Sequence, residues 1–206
     1  MHDKLRQDYE ARNGLLEKLA AKLQKETLEA LADVEHIDRV HFRVKNPDKF
    51  IQKARDPRNK PPYSDPLVEI EDQVAGRVIV FFLSDLREVQ QRLEGTFTTV
   101  EYTHRRPEKD KEFGYESLHL ICVIPPQVKP LEWGIHKDLP NSFELQIRTL
   151  FMHAWAEPQH DLEYKNASDL SPQSRRELYW IAASAWGADQ AYERFWSCQL
   201  SKREEG

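Results

Sequence analysis

Residues 142–149 read Ser-Phe-Glu-Leu-Gln-Ile-Arg-Thr, a strict alternation that puts Phe143, Leu145 and Ile147 on one side of an extended chain and Glu144, Gln146 and Arg148 on the other. Such a strand suits neither a sheet buried between two apolar layers nor a segment lying wholly in water. The same two-sidedness recurs along the chain. Residues 37–45 set Val40, Phe42 and Val44 against Arg39, His41, Arg43 and Lys45. Residues 74–82, rich in β-branched and aromatic side chains, put Arg77 opposite Val78 and Val80, and residues 115–124 set Tyr115, Ser117 and His119 against Leu118, Leu120 and Cys122. Four strands with polar groups on a single face imply a sheet packed by helices on one side, with an open cleft on the other.

The remaining segments supply the helices. Residues 3–33 carry Leu5, Tyr9, Leu15, Leu16, Leu19, Leu23, Leu28 and Leu31 as a rough helical stripe, read as one long helix or two. Asn46-Pro47 opens a short helix through Ala54, followed by a loop with four prolines, RDPRNKPPYSDP. Ser84 is a candidate N-cap for a helix to about Leu93, followed by a strand in TFTTVEYT and a basic loop, HRRPEKDKEF. Two helical segments end the chain. The last runs from about Pro172 to Lys202, with Leu178, Ile181, Ala182, Ala185, Trp186, Tyr192 and Phe195 as its apolar side. This order predicts an α+β (α/β) fold, a central β-sheet flanked by helices.

Composition narrows the class. At 206 residues, 39% of them hydrophobic and with five tryptophans, the chain has core enough for one globular domain. The N-terminus carries charges throughout and no apolar run fit for a signal peptide or membrane span, so the expectation is a cytoplasmic protein with no membrane association. Two cysteines, Cys122 and Cys198, exclude a disulfide framework or a four-thiolate zinc site. The net charge of −5 argues against indiscriminate nucleic-acid binding, although residues 39–60 hold eight Lys or Arg. There is no Walker loop, G-x-G-x-x-G or G-x-S-x-G, and seven glycines leave little material for a phosphate-cradling loop.

Any nucleotide would therefore be held mainly by cationic side chains and metal. Arg43 and Lys45 on one strand face, with Lys53 two turns into the next helix, suit several phosphate oxygens or, alternatively, form a solvated basic edge. Asp72 and Glu144 flank or interrupt apolar strands, where a carboxylate needs compensation. A shared Mg2+ is one solution, and ion pairs of Glu144 with Arg148 and Asp72 with Arg77 are the other. His153, Glu157, His160 and Tyr164 are spaced for one helix side, interrupted by Pro158. The zinc-protease spacing is absent, so His153 and His160 read as cleft-lining groups before metal ligands.

Taken in order, RVKNPDKFIQK, DQVAGRVIV, FGYESLHL and ELQIRTLFMHAWAEPQHDLEYK resemble the RelA/SpoT synthetase family over roughly residues 37–165. The flanking helices are similar in character to those of its single-domain small alarmone synthetases. The resemblance implies a nucleotidyltransferase-like synthetase domain over 1–206, with a helical segment (1–36), a catalytic core (37–165) and a C-terminal helix (166–206). It implies an ATP-dependent pyrophosphokinase acting on GDP or GTP with Mg2+. Arg43, Lys45 and Lys53 would bind ATP phosphates and pack on adenine, and Arg77 would stack on adenine. Asp72 and Glu144 would hold Mg2+ or activate the attacking hydroxyl. Lys111, Tyr115 and His119 would contact the acceptor, and Gln146, Arg148 and His160 would support the cleft. Phe113-Gly114-Tyr115 departs from the family's Asn-Gly-Tyr and resembles toxin-type members, some of which modify the 3'-end of tRNA and some of which make adenosine alarmones. Those members leave tRNA, a neutralising antitoxin and a homo-oligomer among the implied partners. A catalytically silent nucleotide-binding regulator is the third reading.

Overall fold

The computed structural model describes residues 2–107, 113–114, 116–136, 138–166 and 171–204. The N-terminal stripe is split into two helices, α1 (His2–Ala11) and α2 (Asn13–Ala30), meeting at Arg12. Arg12 is buried and donates from Nε to the Asp8 carbonyl (3.0 Å) and from Nη2 to the Asp138 carboxylate (2.5 Å). β1 (Ile37–Val44) leads into α3 (Pro47–Ala54), where the Asn46 side chain accepts from the Asp48 N–H at 2.9 Å and Pro47 occupies the first turn, as its spacing predicts. A one-turn helix α4 (Pro66–Glu69) then precedes β2 (Val74–Val80).

The next helix, α5 (Leu83–Thr96), begins one residue before the expected cap. Phe82 precedes it, and the Asp85 carboxylate rather than Ser84 takes the Phe82 N–H, at 3.0 Å. The helix also outlasts its predicted end at Leu93. β3 (Thr99–Arg105), β4 (Ser117–Val123), β5 (Ser142–Thr149), α6 (Leu150–Asn166) and α7 (Pro172–Glu204) complete the chain. Pro158 lies inside α6 without ending it.

The five strands form one mixed sheet in the order β1-β2-β5-β4-β3, antiparallel at every junction except the central, parallel β2–β5 pair. Its apolar face carries Phe42, Val78, Leu120, Leu145 and Ile147 into the main core, closed by Leu16, Leu19 and Leu23 of α2 and Val89 and Leu93 of α5. Gly76 is required here by close approach. A Cβ at this position would lie 2.4 Å from the Phe42 ring and 2.7 Å from Leu145 Cδ2. A second, smaller cluster of Met152, Trp155, Ala156 and Ala182 joins α6 to α7.

The expected apolar side of α7 is only partly used. Ala182 is buried, whereas Ile181, Trp186, Tyr192 and Phe195 are exposed, because α7 meets its neighbours over a narrow line and leaves the rest of its circumference uncovered. Among the described residues no helix is long and apolar enough to cross a membrane.

Candidate active site

Strand register decides which side chains share the second face, since paired residues on adjacent strands project to the same side. Arg43 aligns with Ala75, Glu144, Ile121 and Glu101 in one row. In the next row His41, Arg77, Gln146, His119 and Thr103 align, and Arg39, Ile79 and Arg148 begin a third. The polar alternation read in each strand therefore merges into a single surface. It is less open than the sequence suggests. Glu144 and Arg148 retain only 7% and 3% of their exposure, with His119 and Gln146 bonded to the first and Gln146 and Glu157 of α6 against the second.

Asp72 stands at the entrance to β2, within a single 3-10 turn of Glu71–Gln73. Lys45, just past the end of β1, donates its backbone N–H to the Gln73 carbonyl at 2.8 Å and its Nζ to Asp72 Oδ2 at 2.6 Å. Lys53 reaches Asp72 Oδ1 from α3 at 2.9 Å. Burial works against the Lys53 ammonium, yet the Asp72 charge and hydrogen bond hold its pKa above the ordinary value. Behind both lysines the buried Tyr9 stacks on Phe50 with ring centres 3.9 Å apart and donates its hydroxyl to the Lys45 carbonyl at 2.8 Å. The packing of α1 on α3 thus fixes where the two ammonium groups point.

Across the same face, Glu144 Oε1 lies 2.6 Å from His119 Nδ1, and Glu144 Oε2 accepts from Gln146 Nε2 at 2.9 Å. Gln146 in turn accepts from Arg148 Nη2 at 2.5 Å. Burial raises the pKa of Glu144, but the hydrogen bond and charge of His119, the Gln146 amide and the Arg105 charge outweigh it and bring the carboxyl down to about 2. The two ion pairs offered as alternatives at the sequence level are not those formed. Asp72 pairs with Lys45 and Lys53, Glu144 with His119, and Arg77 with Glu157 of α6. Lys45 and Lys53 reach Asp72 from the end of β1 and from α3, and His119 reaches Glu144 from the neighbouring β4.

Asp72 and Glu144 open on one cavity of about 100 Å³, with Lys53, His119, Glu71 and Glu101 also in its wall. Burial and the charge of Glu101, followed by Glu144 and Asp72, push the Glu71 carboxyl up against the opposing Lys53. This excess of carboxylate oxygen is the donor set Mg2+ favours. Among the described residues no three His, Cys, Asp or Glu side chains converge closely enough to hold an ion by themselves. The set fits a Mg2+ shared with a bound polyphosphate, the common arrangement for that ion, and not a preformed protein cage.

The structure therefore brings Lys45, Lys53, Asp72, His119, Glu144, Gln146 and Arg148 together, with Arg43 and Arg77 on the same face. Lys111 and Tyr115 lie outside the described residues, as does the side chain of His160, whose backbone belongs to α6. Phe113 packs edge-on against Trp186 of α7, ring centres 5.7 Å apart. Sequence reasoning missed Tyr9, Glu71 and Glu101 as parts of the site, and read Glu157 only as one of a group spaced for one side of a helix. Of those missed, only Glu101 had a local signal, since it alternates with apolar positions on β3.

Comparison with known proteins gives a family that spans most of the sheet. The family described as "Region found in RelA / SpoT proteins" matches residues 42–169. GTP pyrophosphokinase YjbM of Bacillus subtilis (strain 168) is 32% identical over 159 residues, 75% of this chain and 69% of that protein. Among solved structures, small alarmone synthetase 1 from Bacillus subtilis superposes with a TM-score of 0.73 at 25% identity, covering 99% of this chain and 100% of the other. The same enzyme bound to its product pppGpp gives 0.69 at 26% identity, covering 92% and 93%.

Proposed function

Since the chain belongs to the RelA/SpoT family, we propose that it is an ATP-dependent pyrophosphokinase that moves the β,γ-pyrophosphate of ATP to the 3'-hydroxyl of GDP or GTP. The observation that carries this reading is the meeting of Lys53, Asp72, His119 and Glu144 around one cavity. A cation for a polyphosphate and a carboxylate–histidine pair for a hydroxyl then share a single site.

In this reading Lys45 and Lys53 leave Asp72 in part to take phosphate oxygens, Arg43 adds a third cation, and Arg77 stacks on adenine. The acceptor 3'-oxygen attacks the β-phosphorus in line. The new O–P bond forms as the α–β bridging bond breaks, and AMP departs with that oxygen. A carboxyl with a pKa of about 2 retains a proton poorly. Glu144 therefore aligns the hydroxyl as a carboxylate, His119, 2.6 Å away, holds that carboxylate in place, and the hydroxyl proton is released to solvent as the new bond forms. Mg2+, held by Asp72 and Glu144 with the phosphates, would supply charge neutralisation of the transferred group. Positioning and electrostatics account for the catalysis, as in other phosphoryl transfers.

A second reading keeps the donor and changes the acceptor. Phe113 has no side-chain group to hydrogen-bond a guanine edge and instead packs on Trp186, which favours an acceptor held by stacking, such as an adenine nucleotide or the 3'-end of tRNA. The test offers ATP labelled in its β and γ phosphates with GDP, GTP, ADP and deacylated tRNA side by side. Label on GDP or GTP supports the first reading. Label confined to ADP or tRNA transfers the assignment to the second, and ATP binding without transfer to any acceptor leaves a silent regulator.

A further inference from the structure

Glu157 of α6 is the meeting point of a cationic cluster at the far end of the site. Its Oε1 pairs with Arg77 Nη1, and lies 3.7 Å from His153 Nδ1 and 4.0 Å from Arg148 Nη1. Arg77 comes from β2, Arg148 from β5 and His153 from the first turn of α6, so one carboxylate ties together three elements. Arg148 also donates to Gln146, which donates to Glu144. A continuous polar chain thus runs from His119 through Glu144, Gln146, Arg148 and Glu157 to Arg77.

The charges require such a partner. Burial, then the charges of Arg148, Arg77 and Arg39, depress the pKa of His153, and Glu157 acts against them. Glu157 meets Arg77 at one edge nitrogen of the guanidinium, a contact that restrains the group without itself covering its flat faces. Arg77 is mostly buried, with its side chain 14% exposed, whereas that of Glu157 is 44% exposed. Glu157 can therefore be altered with little disturbance to the core.

We propose that Glu157 is a positioning residue for the ATP side of the site, holding Arg77 with its flat face presented to the adenine base. This rests on the reading of Arg77 given under Proposed function. Glu157 touches no reacting atom. It acts through Arg77, and through Arg148 it joins the donor end of the site to Glu144.

The test uses the full chain and its Glu157→Gln and Glu157→Ala variants. Affinity for a non-hydrolysable ATP analogue is measured by calorimetry, and KM for ATP and for the acceptor are measured separately. Both variants should weaken the analogue roughly tenfold, the scale of one lost charge-assisted hydrogen bond, and raise the KM for ATP in parallel. The acceptor KM should stay within about twofold of wild type and thermal unfolding should be unchanged, a split that general loosening of the fold would not produce. Unchanged or tighter analogue binding, or equal weakening of donor and acceptor, overturns the role of Glu157 while the pyrophosphokinase reading stands. Failure of the wild-type chain to bind the analogue overturns that reading, and the role of Glu157 with it.

Discussion

Glu144 and Asp189 are both buried, and burial alone would raise the pKa of each. His119 and Gln146 reverse the effect at Glu144, bringing it from 4.5 to about 2. At Asp189 a single hydrogen bond from Thr149 Oγ1, 2.7 Å long, is not enough, and the carboxyl rises from 3.8 to about 6. The consequences for stability have opposite signs. The contribution of Glu144 is fully present above pH 4.5 and is lost as pH falls towards 2. The ionised Asp189 costs stability above about pH 6, and that cost is relieved as pH falls towards 3.8. Asp189→Asn keeps an acceptor for Thr149 and removes the charge, so it should stabilise the chain at pH 8 by up to about 2 kcal/mol and by much less at pH 4. Urea unfolding at the two pH values measures the difference. Glu144→Gln should reduce transfer at least about a hundredfold, the scale of a lost group that orients the reacting hydroxyl, with far-ultraviolet circular dichroism unchanged. Glu144 was legible in the sequence because a carboxylate in an apolar strand is expensive. Its pairing with His119 was not, because both are visible as polar positions but only the register of β4 on β5, which sets His119 opposite Gln146, brings it diagonally beside Glu144. Asp189 gave no signal at all, since charge on a surface-like helix is ordinary.

At the scale of elements, strand periodicity and the Asn46-Pro47 start of α3 were readable, because each depends on residues a few positions apart. What α1 contributes was not. Tyr9 reads as one more apolar position in a helical stripe, yet its hydroxyl meets the Lys45 carbonyl and its ring meets Phe50. Tyr9→Phe removes only the hydroxyl and keeps the stacked ring. It should cost roughly 1 kcal/mol of stability. It should also raise the KM for ATP more than that for the acceptor, because the segment that is freed carries Lys45. Steady-state kinetics with each substrate varied in turn checks this, and equal effects on both would detach α1 from the donor site. The start of α5 shows the limit of local signals. Ser84 and Asp85 are both fit to cap a helix, and the choice went to Asp85, which also faces His36 at 3.3 Å, a partner far away in the sequence.

At the scale of the molecule, the main core belongs to the sheet with α2 and α5, and the smaller cluster of Met152, Trp155, Ala156 and Ala182 belongs to α6 and α7. The exposed face of α7 could not be foreseen from its apolar residues, because how much of a helix is covered depends on what packs beside it. Towards its far end α7 is fastened by Trp196 stacked on Phe82 at 4.9 Å and by Glu193, which accepts from Ser84 at 3.0 Å. With so little buried surface, the amides of α7 before Asp189 should exchange with solvent through openings of lower free energy than those of β2 and β5, as native-state hydrogen exchange would show. The central sheet has a consequence of another kind. Its parallel pair, β2 and β5, is joined only after α5, β3 and β4 have been traversed, and Ala75 meets Glu144 across that whole span. Closing so long a loop costs entropy before its contacts repay it. A refolding chain can raise its hairpins and helices early, but Asp72 and Glu144 come to one cavity only when this junction closes, so that cavity should be among the last features of the sheet to form.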